Sequence, residues 1–502
     1  MPDRRPVRAP DVLIGGVGLT CSDVRDVAQD GAAVRVEAAG LRRAADAHAM
    51  VTALAAQGPV YGRTTGVGAN RLVPVAAEEM AGDTHGLRLL RSHAAGAGPP
   101  LDPVIARAML VVRLNQLAAG GSGVGPELLP ALAEALNRGL APTAYTLGAI
   151  GTGDLSALAC TALCLLGELP WRGGQLPPVH FDPADALGFI SSNAAVIGEA
   201  ALACANLRDL LGAAVVTGAL AFLGTEGNPE AYDEYVHRVR PHPGQQAVAA
   251  HLRRLLAGQP TRAARIQDPY SYRALPQVHG SAVDAANALD RTLAVELNAA
   301  GENPVVDVAG ARILHNANFH MAHLGLGLDS LRIALYQTAA LSVARTTTLL
   351  EPAITGLTPF LAAGPAGSSG LMILEYVAQS ALADLRQCAM PAMLATAVVS
   401  RGLEEHAPFS AQAARNTTQA VSAYRVILAV ELVAAIRVLR MRGARPAPGP
   451  LREAFDLADA VLPQHTADRN LGADLTVAAG LLATSPGAGP RRFLADLLAG
   501  PE

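Results

Sequence analysis

Three histidines past the middle of the chain, His315, His320 and His323, stand close enough in sequence to raise the question of a metal site. No carboxylate lies beside them at ligand spacing, and histidines on a helix surface are commoner, so the pattern gives no metal. The five cysteines, Cys21, Cys160, Cys164, Cys204 and Cys388, include no CxxC pair and point to neither a disulfide framework nor a zinc site. Cys160 and Cys164 sit in one apolar helical run and read as buried free thiols. Tyr61 follows Pro59-Val60 and opens a loop containing Gly62, Gly66 and Gly68; taken alone it is a surface tyrosine. Arg273 carries the side chain that grips a carboxylate through two parallel hydrogen bonds; taken alone it would serve a structural ion pair.

One residue type is missing. All 39 basic residues are arginine and the sequence contains no lysine, which fits a codon bias in a chain so rich in Ala and Gly. The chemical consequence is an exclusion: there can be no internal Schiff base to pyridoxal phosphate and no phosphate-loop lysine. Half the residues are apolar (51%) and 16% are charged, enough for a large buried core and too apolar for a disordered chain. The net charge of −4 and the 4% aromatic content leave nucleic-acid binding without an electrostatic basis. Apolar runs such as Val426–Val433 are cut by Glu431 and Arg437, so a membrane span is not expected. Arg4 and Arg5 lead into a Pro/Asp/Gly-broken stretch rather than a signal-peptide core, and a cytoplasmic location is expected.

The elements that must hold these side chains divide the chain into three expected parts. Residues 1–195 form a mixed α/β, loop-rich part that carries Tyr61, with strand-like runs at Val12–Ile14 and Val34–Val36. Within it, Asp102 caps a helix, Pro103 suits its first position and Gly120-Gly121 ends it. Residues 196–445 form a central long-helix bundle, with helical runs near 196–222, 279–300, 321–350, 370–400 and 410–442. These runs hold few charges, so most of their surface must be buried, partly through oligomerisation. After the turn Arg445–Pro450, residues 446–502 form a helical tail. The expected class is mainly α, an elongated bundle.

Several separated segments resemble one family. Tyr61-Gly62-Arg63-Thr64-Thr65-Gly66-Val67-Gly68 resembles Y-G-x-N-T-G-F-G, and Ser92-His93-Ala94-Ala95-Gly96 resembles S-H-x-x-G. Gln267-Asp268-Pro269-Tyr270-Ser271-Tyr272-Arg273, followed by Pro276-Gln277-Val278, resembles Q-D-P-Y-S-x-R-x-x-P-Q-V. Glu296 and Asn298 with Glu302-Asn303-Pro304 resemble E-x-N-S-x-x-D-N-P, Asn318-Phe319-His320 resembles G-N-F-H, and Ser400 through His406 resembles S-x-x-Q-E-D-H. In this order the motifs identify the chain as similar to the histidine/phenylalanine/tyrosine ammonia-lyases and aminomutases, with the pocket closest to histidine ammonia-lyase. The resemblance implies a helical bundle of the ammonia-lyase/fumarase-like type, assembled as a homotetramer with shared active sites.

It also implies a prosthetic group. The family cyclises an internal Ala-Ser-Gly to a methylidene-imidazolone, without pyridoxal phosphate or metal. Aligned on Gly153-Asp154-Leu155, the tripeptide here is Gly151-Thr152-Gly153. Gly153 would supply the ring nitrogen, Gly151 the attacked carbonyl and Thr152 the dehydrated side chain. Threonine would give an ethylidene group whose extra methyl crowds the carbon under attack, and Gly151 would raise the entropy cost of the bend. The family asparagine that hydrogen-bonds the electrophile falls on Ser191, and Thr64 stands where Asn is usual.

The remaining roles implied are these. Tyr61 takes the β-proton, Arg273 clamps the substrate carboxylate, and Tyr270, Gln267 and Asn303 line the same site. His93 and Glu404 read an imidazole side chain, and Phe319 packs by the prosthetic ring. One reading is a histidine-type amino-acid ammonia-lyase or an aminomutase. A second keeps the pocket without the ring, as a repurposed enzyme of specialised metabolism running a different acid–base reaction through Tyr61 and Tyr270. A third, a non-catalytic partner subunit, is disfavoured because scaffolding needs none of Tyr61, Tyr270 and Arg273.

Overall fold

The structure is a computed structural model that describes residues 10–75, 84–260 and 263–482. The mainly α class is borne out. The principal helices are α1 (Cys21–Ala28), α2 (Ala38–Ala55), α3 (His85–His93), α4 (Pro103–Ala119), α5 (Leu155–Leu165), α6 (Ala194–Gly224), α7 (Leu275–Glu296), α8 (Ala322–Leu350), α9 (Met372–Cys388) and α10 (Ser410–Met441). Strands among the described residues pair only as two-stranded sheets; Val12–Ile14 and Val34–Val36, both expected, form a parallel pair.

The chain forms two compact units. Unit 1 comprises residues 1–205, 289–329 and 391–415; unit 2 comprises 206–288, 330–390 and 416–502. In unit 1, α4 behaves as the sequence requires. The Asp102 carboxylate accepts from Val104 N–H at 2.8 Å, Pro103 occupies the first turn, and Gly120 closes the helix at φ +89°. The helix interior is buried on every side, including Arg113, Asn115 and Gln116. These polar groups lock distant segments together. Asn115 Oδ1 accepts from Gly16 N–H (2.9 Å), while its amide donates to the Leu297 carbonyl (2.9 Å). Asn298 exchanges two hydrogen bonds with the Leu19 backbone, both 2.9 Å.

Unit 2 buries guanidinium groups in an apolar setting. Arg345 is bidentate to Glu431, Nε–Oε1 2.6 Å and Nη2–Oε2 2.9 Å, and Ser342 Oγ also donates to that carboxylate. Arg332 Nε donates to the Cys388 carbonyl at 2.6 Å and Nη1 to Thr417 Oγ1 at 3.1 Å. One run, Pro183–Gly224, is long and apolar enough to cross a membrane by composition. However, 83% of its most apolar window is buried inside the molecule, as in a core helix.

One expected element is shorter than the sequence pattern indicated. The helix expected over 370–400 stops at Cys388, because Pro391 has no N–H to continue the ladder and disfavours helical geometry at Met390. The chain then makes two short turns, at Ala392–Leu394 and Ser400–Gly402, freeing Leu403–Phe409 as loop.

Removing one partner from the buried Arg345–Glu431 pair leaves an uncompensated charge. Glu431→Gln is expected to lower stability by about 3–5 kcal/mol, read as a lower urea midpoint, with the same loss for Arg345→Met.

Candidate active site

The tripeptide sits in unit 1 between the Tyr145–Leu147 strand and α5. Gly151 and Gly153 adopt φ +91° and +121°, a left-handed backbone that glycine enters without strain. Four backbone groups in this loop are held from outside. The Ile150 carbonyl accepts from Phe409 N–H (2.9 Å), and the Gly151 carbonyl accepts from Met321 N–H (3.1 Å). Gly153 N–H donates to Asn193 Oδ1 at 2.9 Å, and Asp154 N–H donates to the Ser192 carbonyl at 2.7 Å. Asn193 also donates to the Phe319 carbonyl at 2.7 Å, so one side chain ties the tripeptide to the Asn318-Phe319-His320 segment.

Asn193, not Ser191, is therefore the polar side chain on the tripeptide. Ser191 Oγ faces the Asn303 backbone, accepting from its N–H at 3.0 Å and donating to its carbonyl at 3.4 Å. The reason is geometric. The short helix Ala186–Ile190 ends at Ser191, and two more residues are needed before a side chain reaches the Gly153 amide. Asn193 lies in the segment that the sequence motif had already marked; its offset of two residues was the missing piece.

Ser410 was also not foreseen. A Cβ added to Gly151 would stand 2.3 Å from Ser410 Oγ and 2.9 Å from Pro408 Cγ. Among the described residues the buried Ser410 hydroxyl has no hydrogen-bond partner, and it fills the space where the family's alanine methyl would project. Asp154 follows the tripeptide and is fully buried. Its Oδ2 accepts from Val196 N–H at 2.8 Å, while Oδ1 has no hydrogen-bond partner among the described residues. Burial pushes this carboxyl up to about 7, against the pull of the Val196 and Ala195 amides and of Arg415.

Other expected residues of unit 1 lie on separate loops and helix ends. Tyr61 is half-buried, its hydroxyl oxygen accepts from Gly68 N–H at 2.7 Å, and its ring meets His315 edge-on at 6.3 Å. A Cβ on Gly62 would collide with Leu187 (2.1 Å), and Arg63 is paired at 2.9 Å with Asp185, so the Tyr61 loop is fixed from both sides. Thr64 Oγ1 accepts from Val60 N–H at 2.7 Å, a local turn contact. Ser400 Oγ accepts from Ala69 N–H at 3.1 Å and brings the Glu404 loop to the Tyr61 loop. Glu404 is half-buried; beyond it His406 Nδ1 lies 2.9 Å from His320 Nε2. His93 ends α3, and its Nδ1 donates to the Leu89 carbonyl at 2.9 Å. Asn303 Oδ1 accepts from Asn316 N–H at 3.0 Å. Behind it the buried Glu302 pairs with Arg113 at 2.8 Å, and burial raises the carboxyl against that arginine's pull.

Gln267, Tyr270 and Arg273 belong to unit 2. Gln267 and Tyr270 are exposed; Arg273 stacks on the Tyr270 ring at 5.3 Å and donates from Nε to the Asp268 carbonyl at 2.9 Å. Among the described residues its two Nη groups carry no hydrogen bond, which leaves the fork that takes a carboxylate. Asp268 is held by Arg265 (3.0 Å) and by Asn228 N–H (2.6 Å), so the platform beneath Arg273 is rigid.

Residues 19–459 match the aromatic amino acid lyase family. The chain belongs to that family. The lyase is 34% identical to the histidine ammonia-lyase of Streptomyces griseus, over 97% of this chain and 95% of the relative. Its structure resembles that of histidine ammonia-lyase from Trypanosoma cruzi (TM-score 0.88, 27% identity, 97% of this chain and 95% of that one). It also resembles the ergothioneine-degrading enzyme ergothionase from Treponema denticola (TM-score 0.86, 25% identity, 98% and 100%). The lyase is thus an ammonia-lyase-like enzyme of the carbon–nitrogen lyase class, from a family known for a self-derived prosthetic group rather than pyridoxal phosphate or metal.

Two outcomes follow for this site. Gly151→Ala is expected to cost at least about 1 kcal/mol through backbone strain alone, with further loss from the Ser410 clash. Adding Ser410→Ala should recover part of the lost melting temperature. Asp154 has a folded-state pKa above its unfolded value, so the native lyase holds the extra proton between about pH 4 and 7 and stability falls as pH rises through that window. Denaturant titrations of the lyase and of Asp154→Asn across pH 4–7.5 should differ in slope by this contribution.

Proposed function

We propose that this lyase eliminates ammonia from histidine or a close imidazole-bearing amino acid, using an electrophile derived from Gly151-Thr152-Gly153. The observation that carries the proposal is the treatment of the two groups that would close the ring. The Gly153 N–H is aimed at an acceptor, Asn193 Oδ1, and the Gly151 carbonyl is polarised by the Met321 N–H. The tripeptide therefore has a proton acceptor on the attacking side and a donor on the attacked side, which suits cyclisation. Such a ring supplies the strong electrophile that loss of a poor amine leaving group demands.

The chain's own residues do the rest. The two Nη groups of Arg273 hold the substrate carboxylate, and its Nε bond to Asp268 keeps the fork from rotating. Tyr61 takes the β-proton on a phenol oxygen whose position the Gly68 amide fixes. Tyr270, Gln267, Asn303 and Phe319 complete the walls. His93, tethered through Nδ1 to its own helix, and Glu404 read the polar imidazole ring of the substrate. The family's shared-site homotetramer, acting in the cytoplasm, completes the proposal. It is supported by the exposed Ile333, Ile373 and Tyr376 on unit 2 and by a groove of about 1030 Å³ lined by Tyr376, Ser380, Asn416 and Gln419.

A second reading rests on glycine at 151, where Ser410 leaves no room for a Cβ, and on threonine at 152. In it the same pocket works without the ring, on a related ligand, through Tyr61 and Tyr270. An aminomutase outcome would differ only in how long ammonia and the unsaturated acid stay enclosed.

Intact mass separates the two readings. Loss of two waters from the chain supports the cyclised electrophile; an unmodified mass with turnover supports the second. Arg273→Ala is expected to lower kcat/KM by about 100-fold, two charge-assisted hydrogen bonds being lost, and unchanged kinetics would remove the carboxylate assignment. Tyr61→Phe should lower kcat by about 10²–10⁴-fold.

A further inference from the structure

Away from the tripeptide, unit 1 brings together three side chains that the sequence keeps far apart. Cys21 is the first residue of α1, Cys204 lies on α6 and Asp290 on α7. The two sulfurs and a carboxylate oxygen all lie within 4.8 Å of one another. Both cysteines are buried and Asp290 is partly so. Cys204 and Asp290, both acids, act on Cys21 through hydrogen bonding and charge. We propose that Cys21, Cys204 and Asp290 form a structural site for a thiophilic divalent cation, Zn²⁺ being the best match.

Four features support this. Donors around a tetrahedral zinc stand about 3.8 Å apart when Zn–S is about 2.3 Å, within the observed spread. Two thiolates and a carboxylate are a borderline-soft set that favours zinc over magnesium or calcium. A carboxylate that binds through both oxygens, or through one with a water beside it, completes four-coordination. The framework is also preformed. The Thr20 side chain accepts from Asp23 N–H in a capping box, and Leu19 is held by its paired bonds to Asn298, so the start of α1 has little freedom. The ion would staple the N-terminal helix to two core helices. Sequence spacing could not reveal such a site, because each ligand comes from a different part of the chain.

The test uses the full chain, purified under reducing conditions, stripped with a chelator and then dialysed against Zn²⁺ or Co²⁺. Expected are one equivalent of zinc per chain by elemental analysis, near-ultraviolet thiolate-to-Co²⁺ charge-transfer absorption, and a melting temperature that zinc raises and chelator lowers. Cys204→Ala and Asp290→Asn should each lose the stoichiometric metal, and Cys164→Ala should keep it. If Cys204→Ala does not fold, the cobalt spectrum of the wild-type chain and the metal content of Asp290→Asn decide. Absence of charge-transfer absorption, equal zinc retention by the folded variants, or a Cys21–Cys204 disulfide in place of metal would each overturn the site.

Discussion

The backbone around Gly151-Thr152-Gly153 is satisfied almost entirely from outside its own loop. Asn193, Ser192, Met321 and Phe409 supply the partners, from three segments separated widely in sequence. A loop with left-handed glycines at two of three positions has a large conformational entropy to lose, and among the described residues no hydrogen bond within residues 150–153 holds it. Its geometry is consequently a property of unit 1 as a whole. The buried Asp154 and the Ser410 hydroxyl belong to the same arrangement: both are polar groups left partly unpartnered against the loop. Unpartnered buried polar atoms are costly, and such costs concentrate where a site needs a fixed shape.

Arginine carries every positive charge in this chain, and the structure makes use of its shape. Arg113, Arg332 and Arg345 are fully buried, and each spreads its donors over a carboxylate, backbone carbonyls or a hydroxyl. An ammonium group has a single compact point of charge and could not reach such divergent acceptors. The Arg113–Glu302 pair lies directly behind Asn303, and the Arg345–Glu431 pair lies among the helices of unit 2. Both set backbone positions near residues that the motifs marked.

The motifs located the segments of the candidate site, and much of the fold was legible as well. Apolar runs free of proline gave the long helices to within a few residues, and Asp102, Pro103 and Gly120 gave one helix both of its ends. Where the pattern misled, a proline after the run decided the matter: the expected helix to residue 400 stops at Cys388. Within the site, Ser191 and Asn193 differ by two residues, yet they face different partners. A motif records order along the chain; which side chain reaches the tripeptide depends on where a short helix ends.

The sequence by itself determined the family, the mainly α class, the exclusion of lysine chemistry and the identity of the altered tripeptide. These depend on residue types and on local periodicity, which a linear text carries in full. Tertiary structure alone decided that Asn193 holds Gly153, that Ser410 occupies the space beside Gly151, that Asp154 is sealed from water, and that Cys21, Cys204 and Asp290 meet. Each of those facts is a distance between residues remote in sequence. Such distances are fixed only when helices pack and buried polar groups find their partners.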